Sequence, residues 1–188
     1  LTDGGVDWII KPVGSLTDDS YMLIFNNNGQ FQGSGGYISA QSSTTVTFTD
    51  GANDGNYNNL GDNYIMYAWH NVPGLQKFGT FYSNGTHDNA FVELGFKPKL
   101  VFWKFRDNHG GWFLYDSERA TYANGNPLGK YIELNSANAE GDATPVVDFL
   151  SNGFKVRNNF GGTAQDLVYA AWAEAPSVNL YGGGANAR

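Results

Sequence analysis

The sequence contains no cysteine, which removes disulfides and thiolate metal sites from consideration. At 188 residues it is long enough to bury a core without such staples. Charge is also sparse. Asp, Glu, Lys and Arg make up 15% of the chain, against roughly a quarter in ordinary globular domains. The eleven basic residues are scattered and the net charge is −7, so the positive footprint that a phosphate backbone requires is missing and nucleic-acid binding is not expected. No apolar run approaches the roughly 20 residues that span a bilayer, and membrane insertion is not expected either. Gly-x-Ser-x-Gly, Walker and His-Glu-x-x-His patterns are missing. No catalytic residue is assigned, and the chain is read as not being an enzyme.

Aromatic residues are abundant, at 15%, and there are 25 glycines. A surface polar through amides and hydroxyls suits hydrogen bonding to sugars. The many turns of a β-protein demand the same Gly and Asn. Within this composition the chain repeats itself. Trp8-Ile9-Ile10 is echoed by Trp112-Phe113-Leu114, and Tyr64-Ile65-Met66-Tyr67-Ala68-Trp69 by Leu167-Val168-Tyr169-Ala170-Ala171-Trp172. Pro73 and Pro176 each follow four residues after the tryptophan. The spacing is 104 residues for the first pair and 103 for the second, as duplication of a β-unit would produce. The division expected is a first unit over 1–75, a second over 76–176 and a tail over 177–188, the two units either separate or merged in one compact β-domain. The second unit uses Phe81-Tyr82, Phe91 to Leu94 and Leu100 to Trp103 before it reaches Trp112. Counterparts of those strands would lie before Leu1, so the first unit is expected to be incomplete at its N-terminal side.

Strand and turn signals dominate. Thr45-Val46-Thr47-Phe48-Thr49 alternates polar and apolar residues, which predicts Val46 and Phe48 facing a core. Asp148 to Arg157 reads as a hairpin around Ser151-Asn152-Gly153, with Gly153 at positive φ. Ser83-Asn84-Gly85 is a second turn of that kind. Leu100 to Phe105 is nearly continuously apolar, as in a central strand buried on both faces. Small alanines in Asp166 to Ala173 would let a facing layer approach closely. Asn135 to Glu140 is the sole candidate for a helical turn. The class expected is all-β, an antiparallel β-sandwich of jelly-roll or lectin-like form built from two tandem related units. Its Gly/Asn-rich loops, Asp50 to Asn59 and Ala120 to Lys130, are where function is expected.

Asp116 and Glu118 flank Ser117, and on a strand that spacing places both carboxylates on one face about 7 Å apart, within the glycosidase range. A solvated strand end with Arg119 paired to either carboxylate is the simpler reading. His70, His87 and His109 lie in or beside different loops, and no metal site is assigned to them. Asp50 to Asn56 resembles the start of a calcium loop, but Ala52 takes the third ligand position and no Glu stands at the twelfth. No cofactor is expected beyond a weak calcium site in that loop.

Several of these motifs occur together elsewhere. Lys77-Phe78-Gly79-Thr80-Phe81-Tyr82-Ser83-Asn84-Gly85, Leu94-Gly95-Phe96-Lys97-Pro98-Lys99-Leu100-Val101 and Asp148-Phe149-Leu150-Ser151-Asn152-Gly153-Phe154-Lys155 follow in that order. The set resembles a repeated C-terminal domain of tail-fibre and adhesin-like proteins of marine bacteriophages. Trp112, Asp116, Arg119, Tyr169 and Ala173-Glu174 extend the likeness over almost the whole second unit, and residues from Trp8 onward match as a more divergent copy. The chain departs from the pattern at Tyr67-Ala68-Trp69-His70, where the family has a Tyr-Cys-Phe-Ala-like sequence. It departs again at Asp88-Asn89-Ala90-Phe91, in place of Asp-Gly-Pro-Phe.

The resemblance implies a virion receptor-binding module that attaches the phage to a bacterial surface glycan or outer-membrane receptor, beside other tail proteins and as a homotrimer. Loop aromatics would stack on sugar faces while Asn, Asp and His bond hydroxyls. The candidates are Tyr57, Tyr82, Asn84, His87, Asp88, His109, Tyr122, Asn124 and Asn126. Each has an ordinary structural role beside the functional one: Tyr82 as core, Asn84 as turn, Tyr57 and Tyr122 as covers of their own loops. The second reading is a structural decoration or fibre-capping module without its own ligand. The third is a glycan depolymerase, which needs carboxylates converging from the set Asp116, Glu118, Glu133, Asp142 and Asp148.

Overall fold

A computed structural model describes residues 7–12, 21–29, 32–33, 38–42, 44–48, 63–119 and 125–174. In chain order its strands are β1 (Ile9–Ile10), β2 (Tyr21–Ile24), β3 (Gln32–Gly33), β4 (Ile38–Gln41), β5 (Val46–Phe48), β6 (Gln76–Ser83), β7 (Phe91–Glu93), β8 (Pro98–Phe105), β9 (Phe113–Asp116), β10 (Leu128–Glu133), β11 (Gly141–Leu150), β12 (Gly153–Val156) and β13 (Gln165–Ala173). The described chain is all-β, with two short 3₁₀ turns at Ser117–Arg119 and Phe160–Gly162. Asn135 to Glu140 forms no helical turn: a bend at Leu134 to Ser136 reverses the chain between β10 and β11.

Every described ladder is antiparallel. Eight strands form one sheet in the order β6-β13-β8-β9-β10-β11-β12-β7. Its two edges, β6 and β7, are neighbours in sequence, and the sheet curls until it is nearly closed. Across the remaining gap the Lys77 Nζ donates to the Glu93 carbonyl at 2.7 Å. The alternation of side chains along each strand then gives one enclosed face. Phe81, Val92, Val101, Trp103, Tyr115, Leu128, Val147, Phe149, Phe154, Val156, Leu167 and Tyr169 all point into one buried cluster. Trp103 lies inside it, 4.6 Å from the Tyr115 ring and edge-on to Phe81 at 5.9 Å. Buried aromatic pairs at such spacings contribute roughly 0.5–1.5 kcal/mol beyond the area they bury.

Gly153 is part of this closure for an unexpected reason. Its φ is not among the positive values, which among the described glycines fall at Gly74, Gly85, Gly95, Gly125, Gly161 and Gly162. A Cβ there would meet the Val92 carbonyl oxygen at 2.1 Å. The glycine therefore admits β7 against β12; the two-residue turn Ser151-Asn152 brings Leu150 opposite Gly153 without it needing a left-handed conformation.

The opposite face of β8, β9 and β13 is covered by the N-terminal strands. β1, β2 and β3 make a small sheet, and its Leu23 is buried with Trp112 and Val168 while Ile10 and Phe25 pack alongside. The Trp112 indole Nε1 donates to the Ile24 carbonyl at 2.9 Å, and Gly110 N donates to the Asn28 carbonyl at 2.9 Å. Leu100 to Phe105 is thus sandwiched, as its apolar run predicts.

One local arrangement occurs twice. Trp8 N donates to Asn26 Oδ1 at 2.7 Å, and Trp112 N donates to Asn135 Oδ1 at 2.7 Å. Phe25 N bonds the Trp8 carbonyl as Leu134 N bonds the Trp112 carbonyl. Behind these clamps, Ile9 faces Ile24 as Phe113 faces Glu133, and Met22 faces Gln32 as Tyr131 faces Gly141.

Two expectations fail in the N-terminal part. Val46 and Phe48 do form a strand, but both are exposed: β4 and β5 stand as a two-stranded ribbon with no described layer over them. Tyr64 to Trp69 forms no strand among the described residues. Asp50 to Asn59 and the tail from residue 177 lie outside the described residues.

Candidate functional site

The register of the sheet gathers three loops at one end. Ser83 at the end of β6 faces Gln165 at the start of β13, and Phe105 at the end of β8 faces Leu167. The β6–β7 loop (84–90), the β8–β9 loop (106–112) and the β12–β13 loop (157–164) therefore share one rim. Five of the sequence-derived candidates sit there, namely Tyr82, Asn84, His87, Asp88 and His109, all exposed.

The β6–β7 loop is held from within. Asn84 Oδ1 accepts from Thr86 N at 2.9 Å, an Asx turn, and Gly85 follows at φ 73°. A Cβ on Gly85 would meet the Gly162 carbonyl oxygen at 2.8 Å, so the first and third loops lie back to back. Between them sits Asn89, which is buried and uses its whole amide. Its Oδ1 accepts from Asn84 N at 3.2 Å and Ala90 N at 2.7 Å, and its Nδ2 donates to Ser83 Oγ at 2.7 Å and the Asn158 carbonyl at 2.9 Å. Sequence reasoning missed this residue as a determinant of the site. The only signal was its place in Asp88-Asn89-Ala90-Phe91, where the resembling family has a glycine.

His87 Nδ1 lies 3.0 Å from the Arg157 carbonyl. A carbonyl only accepts, so Nδ1 is the donor in this contact, and in the neutral tautomer that fits it Nε2 is the acceptor. Asp88 pairs with Lys155 at 2.7 Å; the hydrogen bond from Lys155 holds its carboxyl below the usual range. Arg157 in turn grips Asp148 at 2.6 Å. On the neighbouring loop, Arg106 bridges Asp107 at 2.8 Å and Asp166 at 2.9 Å, and Asn108 Nδ2 donates to Gln165 Oε1 at 2.6 Å. The third loop passes through Phe160 at φ 48°, Gly161 at 74° and Gly162 at 80°. Phe160 tolerates this left-handed backbone because its ring packs edge-on to Phe105 at 5.3 Å and Trp103 at 6.1 Å.

Asn126 has a different task. Its Nδ2 donates to the Phe149 carbonyl at 2.9 Å and its Oδ1 accepts from Phe149 N at 2.8 Å, so the side chain stands in for a strand neighbour of β11. Tyr57, Tyr122 and Asn124 lie outside the described residues, as does the calcium-like stretch from Asp50 to Asn56. Among the described residues no group of three or more His, Asp or Glu is placed to hold a metal.

The carboxylates do not share one strand face. Strand β9 ends at Asp116 and the chain turns, with Asp116 Oδ1 accepting from Glu118 N and Arg119 N at 3.0 Å each. Asp116 is thereby a cap, and Glu118 leaves the strand face on which the simple spacing would put it. Arg119 joins Asp116 to Glu140, the latter at 3.0 Å, and Lys99 joins Glu118. Glu133 accepts from Asn138 at 3.2 Å. β10 and β11 are neighbours, but Val147 faces Leu128 at the start of β10 while Glu133 stands at its end, so Asp148, one residue beyond Val147, is separated from Glu133 by about 20 Å of strand at roughly 3.3 Å per residue.

No curated protein and no solved structure matches the chain. The model of one domain family, described as a domain of unknown function, DUF7483, matches residues 2–176, and the chain therefore belongs to the DUF7483 family.

Proposed function

We propose that this chain is an attachment module, a receptor-binding part of a phage tail fibre that engages a glycan on the bacterial surface through the rim of its nearly closed sheet. The observation that carries the reading is the gathering at one rim of Tyr82 near the end of β6, of Asn84, His87 and Asp88 on the β6–β7 loop that the buried Asn89 fixes from below, and of His109 on the β8–β9 loop. A ring for stacking, a histidine acceptor and a carboxylate on a pre-organised frame are what a sugar face and its hydroxyls require. The motif resemblance to tail-fibre proteins supports the same class. On this reading the module sits in the virion, acts as a homotrimer beside other tail proteins, and takes its ligand without catalysis.

The finer fold belongs to this proposal. The two halves of the sheet, β6-β13-β8-β9 and β10-β11-β12-β7, form the walls of a flattened jelly-roll or lectin-like sandwich. The twin Trp–Asn clamps and their matching registers support two tandem related units, 1–75 and 76–176. A ligand-free capping role has one observation in its favour, the exposed apolar run from Ile65 to Trp69.

The test is binding of the purified chain to marine bacterial cells and to a glycan array, with and without EDTA, beside a Tyr82→Ala/His87→Ala variant. Saturable binding that falls at least tenfold in the variant is expected. Absence of binding by the well-folded protein would favour the capping role.

A further inference from the structure

The outward face of the large sheet changes character towards the rim. Where Val168 of β13 lies between Thr80 and Lys104, the small N-terminal sheet covers it, and Val168 is buried with Leu23. Two residues nearer the rim, alternation along the strands brings Asp166 of β13 and Tyr82 of β6 out on that same face, and the register sets them opposite each other. Arg106, the residue after β8, completes a row across three strands. Its main-chain N donates to the Asp166 carbonyl at 2.9 Å, and its guanidinium lies 2.9 Å from Asp166 Oδ2. Tyr82 is 60% exposed. An open ring thus stands one strand spacing, about 4.8 Å, from a carboxylate whose direction Arg106 fixes.

The cations around this row are engaged by carboxylates of the same rim. Arg106 is shared between Asp166 and Asp107, Arg157 is held by Asp148 at 2.6 Å, and Lys155 is held by Asp88 at 2.7 Å and by the Asn89 carbonyl. Turning Arg157 towards an incoming anion would strip Asp148, whose side chain is only 13% exposed, of the charge that offsets its burial. Four carboxylates stand against three cations in these pairs. An acidic ligand therefore meets like charge and must break a pair to be held. An uncharged sugar meets neither cost: its face stacks on Tyr82 and its hydroxyls donate to Asp166.

We propose that Tyr82, Asp166 and Arg106 form the sugar-contact row of this module, and that its ligand is an uncharged glycan, a chain of neutral hexoses or N-acetylhexosamines, not one bearing uronic acids or phosphate. This row presupposes the glycan-attachment reading above, to which it adds Asp166, Arg106 and the charge class of the ligand.

The probe is polysaccharide stripped from the marine bacterial cells that the chain binds, divided by anion exchange into a neutral and an acidic fraction. The full chain should bind the neutral fraction, with less than a twofold change between about 50 mM and about 500 mM NaCl, since no ion pair with the ligand is there to be screened. Binding should fall at least tenfold in Tyr82→Ala and in Asp166→Ala and survive in Tyr82→Phe, which keeps the ring. Tyr82 is exposed, so the urea midpoint of its variants should match that of the parent. Asp107→Asn, which releases Arg106 from one of its two carboxylates, should raise binding of the acidic fraction severalfold. Salt-sensitive binding of the acidic fraction by the parent chain, abolished by Tyr82→Ala, would overturn the uncharged-ligand proposal and leave attachment through the rim standing. Binding of the neutral fraction that survives both alanine variants would overturn the contact row. Cells bound with neither fraction taken up, or no cells bound by the folded protein, would overturn the glycan-attachment reading itself and the row with it.

Discussion

Lys104 carries its ammonium group into the contact between the small N-terminal sheet and the large one. It is fully buried, and among the described residues Nζ donates to the carbonyls of Gly110 at 2.5 Å and Asn28 at 3.3 Å. Burial disfavours the charged form and lowers its pKa to about 8. Between pH 8 and the ordinary lysine value the unfolded chain binds the extra proton, so the folded state gains stability as pH rises. The gain is on the order of 1–3 kcal/mol. Above pH 10 the buried Tyr169, pushed up to about 12, acts in the opposite sense, because there the folded state holds the proton. Urea unfolding at pH 7 and pH 9.5 should show the increase, and Lys104→Met should flatten it. Asn89 has the opposite situation, a neutral amide with every hydrogen bond made. Asn89→Ala leaves Asn84 N and the Asn158 carbonyl without that partner and should cost about 2–3 kcal/mol in urea unfolding. Neither role is visible in the sequence. A lysine between tryptophan and phenylalanine looks the same whether it reaches solvent or not.

Among the elements, β7 and β12 decide whether the sheet closes. Phe154 faces Val92 and Lys155 faces Phe91, with Gly153 under the Val92 carbonyl. Gly153→Ala should push β7 away and cost more than about 2 kcal/mol, since the obstructing atom is main chain and cannot rotate aside. Gly95→Ala is the control: its φ is 79° but the space around it is open, so the cost should stay near 1 kcal/mol. Thermal melts of the two variants, together with amide exchange on Phe91 to Glu93, check the difference. The hairpin around Ser151-Asn152 was legible because its turn chemistry is local. The use of its glycine was not, because the atom that requires it comes from a strand some sixty residues earlier.

For the whole molecule, the two parts are held by the cluster of Leu23, Trp112 and Val168 and by the Trp112–Ile24 hydrogen bond. Residues 1–75 expressed alone should give no cooperative thermal transition, because Leu23 and Phe25 lose the face they cover; a sharp melt would refute this. By itself the sequence determined the β class, the places of most strands and turns, and the Trp-led repeat, all of which rest on contacts between near neighbours: alternation along a strand, Asn and Gly at turns, recurrence of a local pattern. Tertiary structure decided which alternating faces are buried. Val46 and Phe48 carry the same pattern as Phe154 and Val156, yet only the latter pair is enclosed. Burial depends on which strands arrive from elsewhere in the chain to form the opposing wall, and the same circumstance brings Tyr82 of β6 and the loop residues His87 and His109 to one rim. Those arrivals are set by ladder pairing between residues as far apart in the chain as Trp172 and Gln76, and no local pattern encodes them.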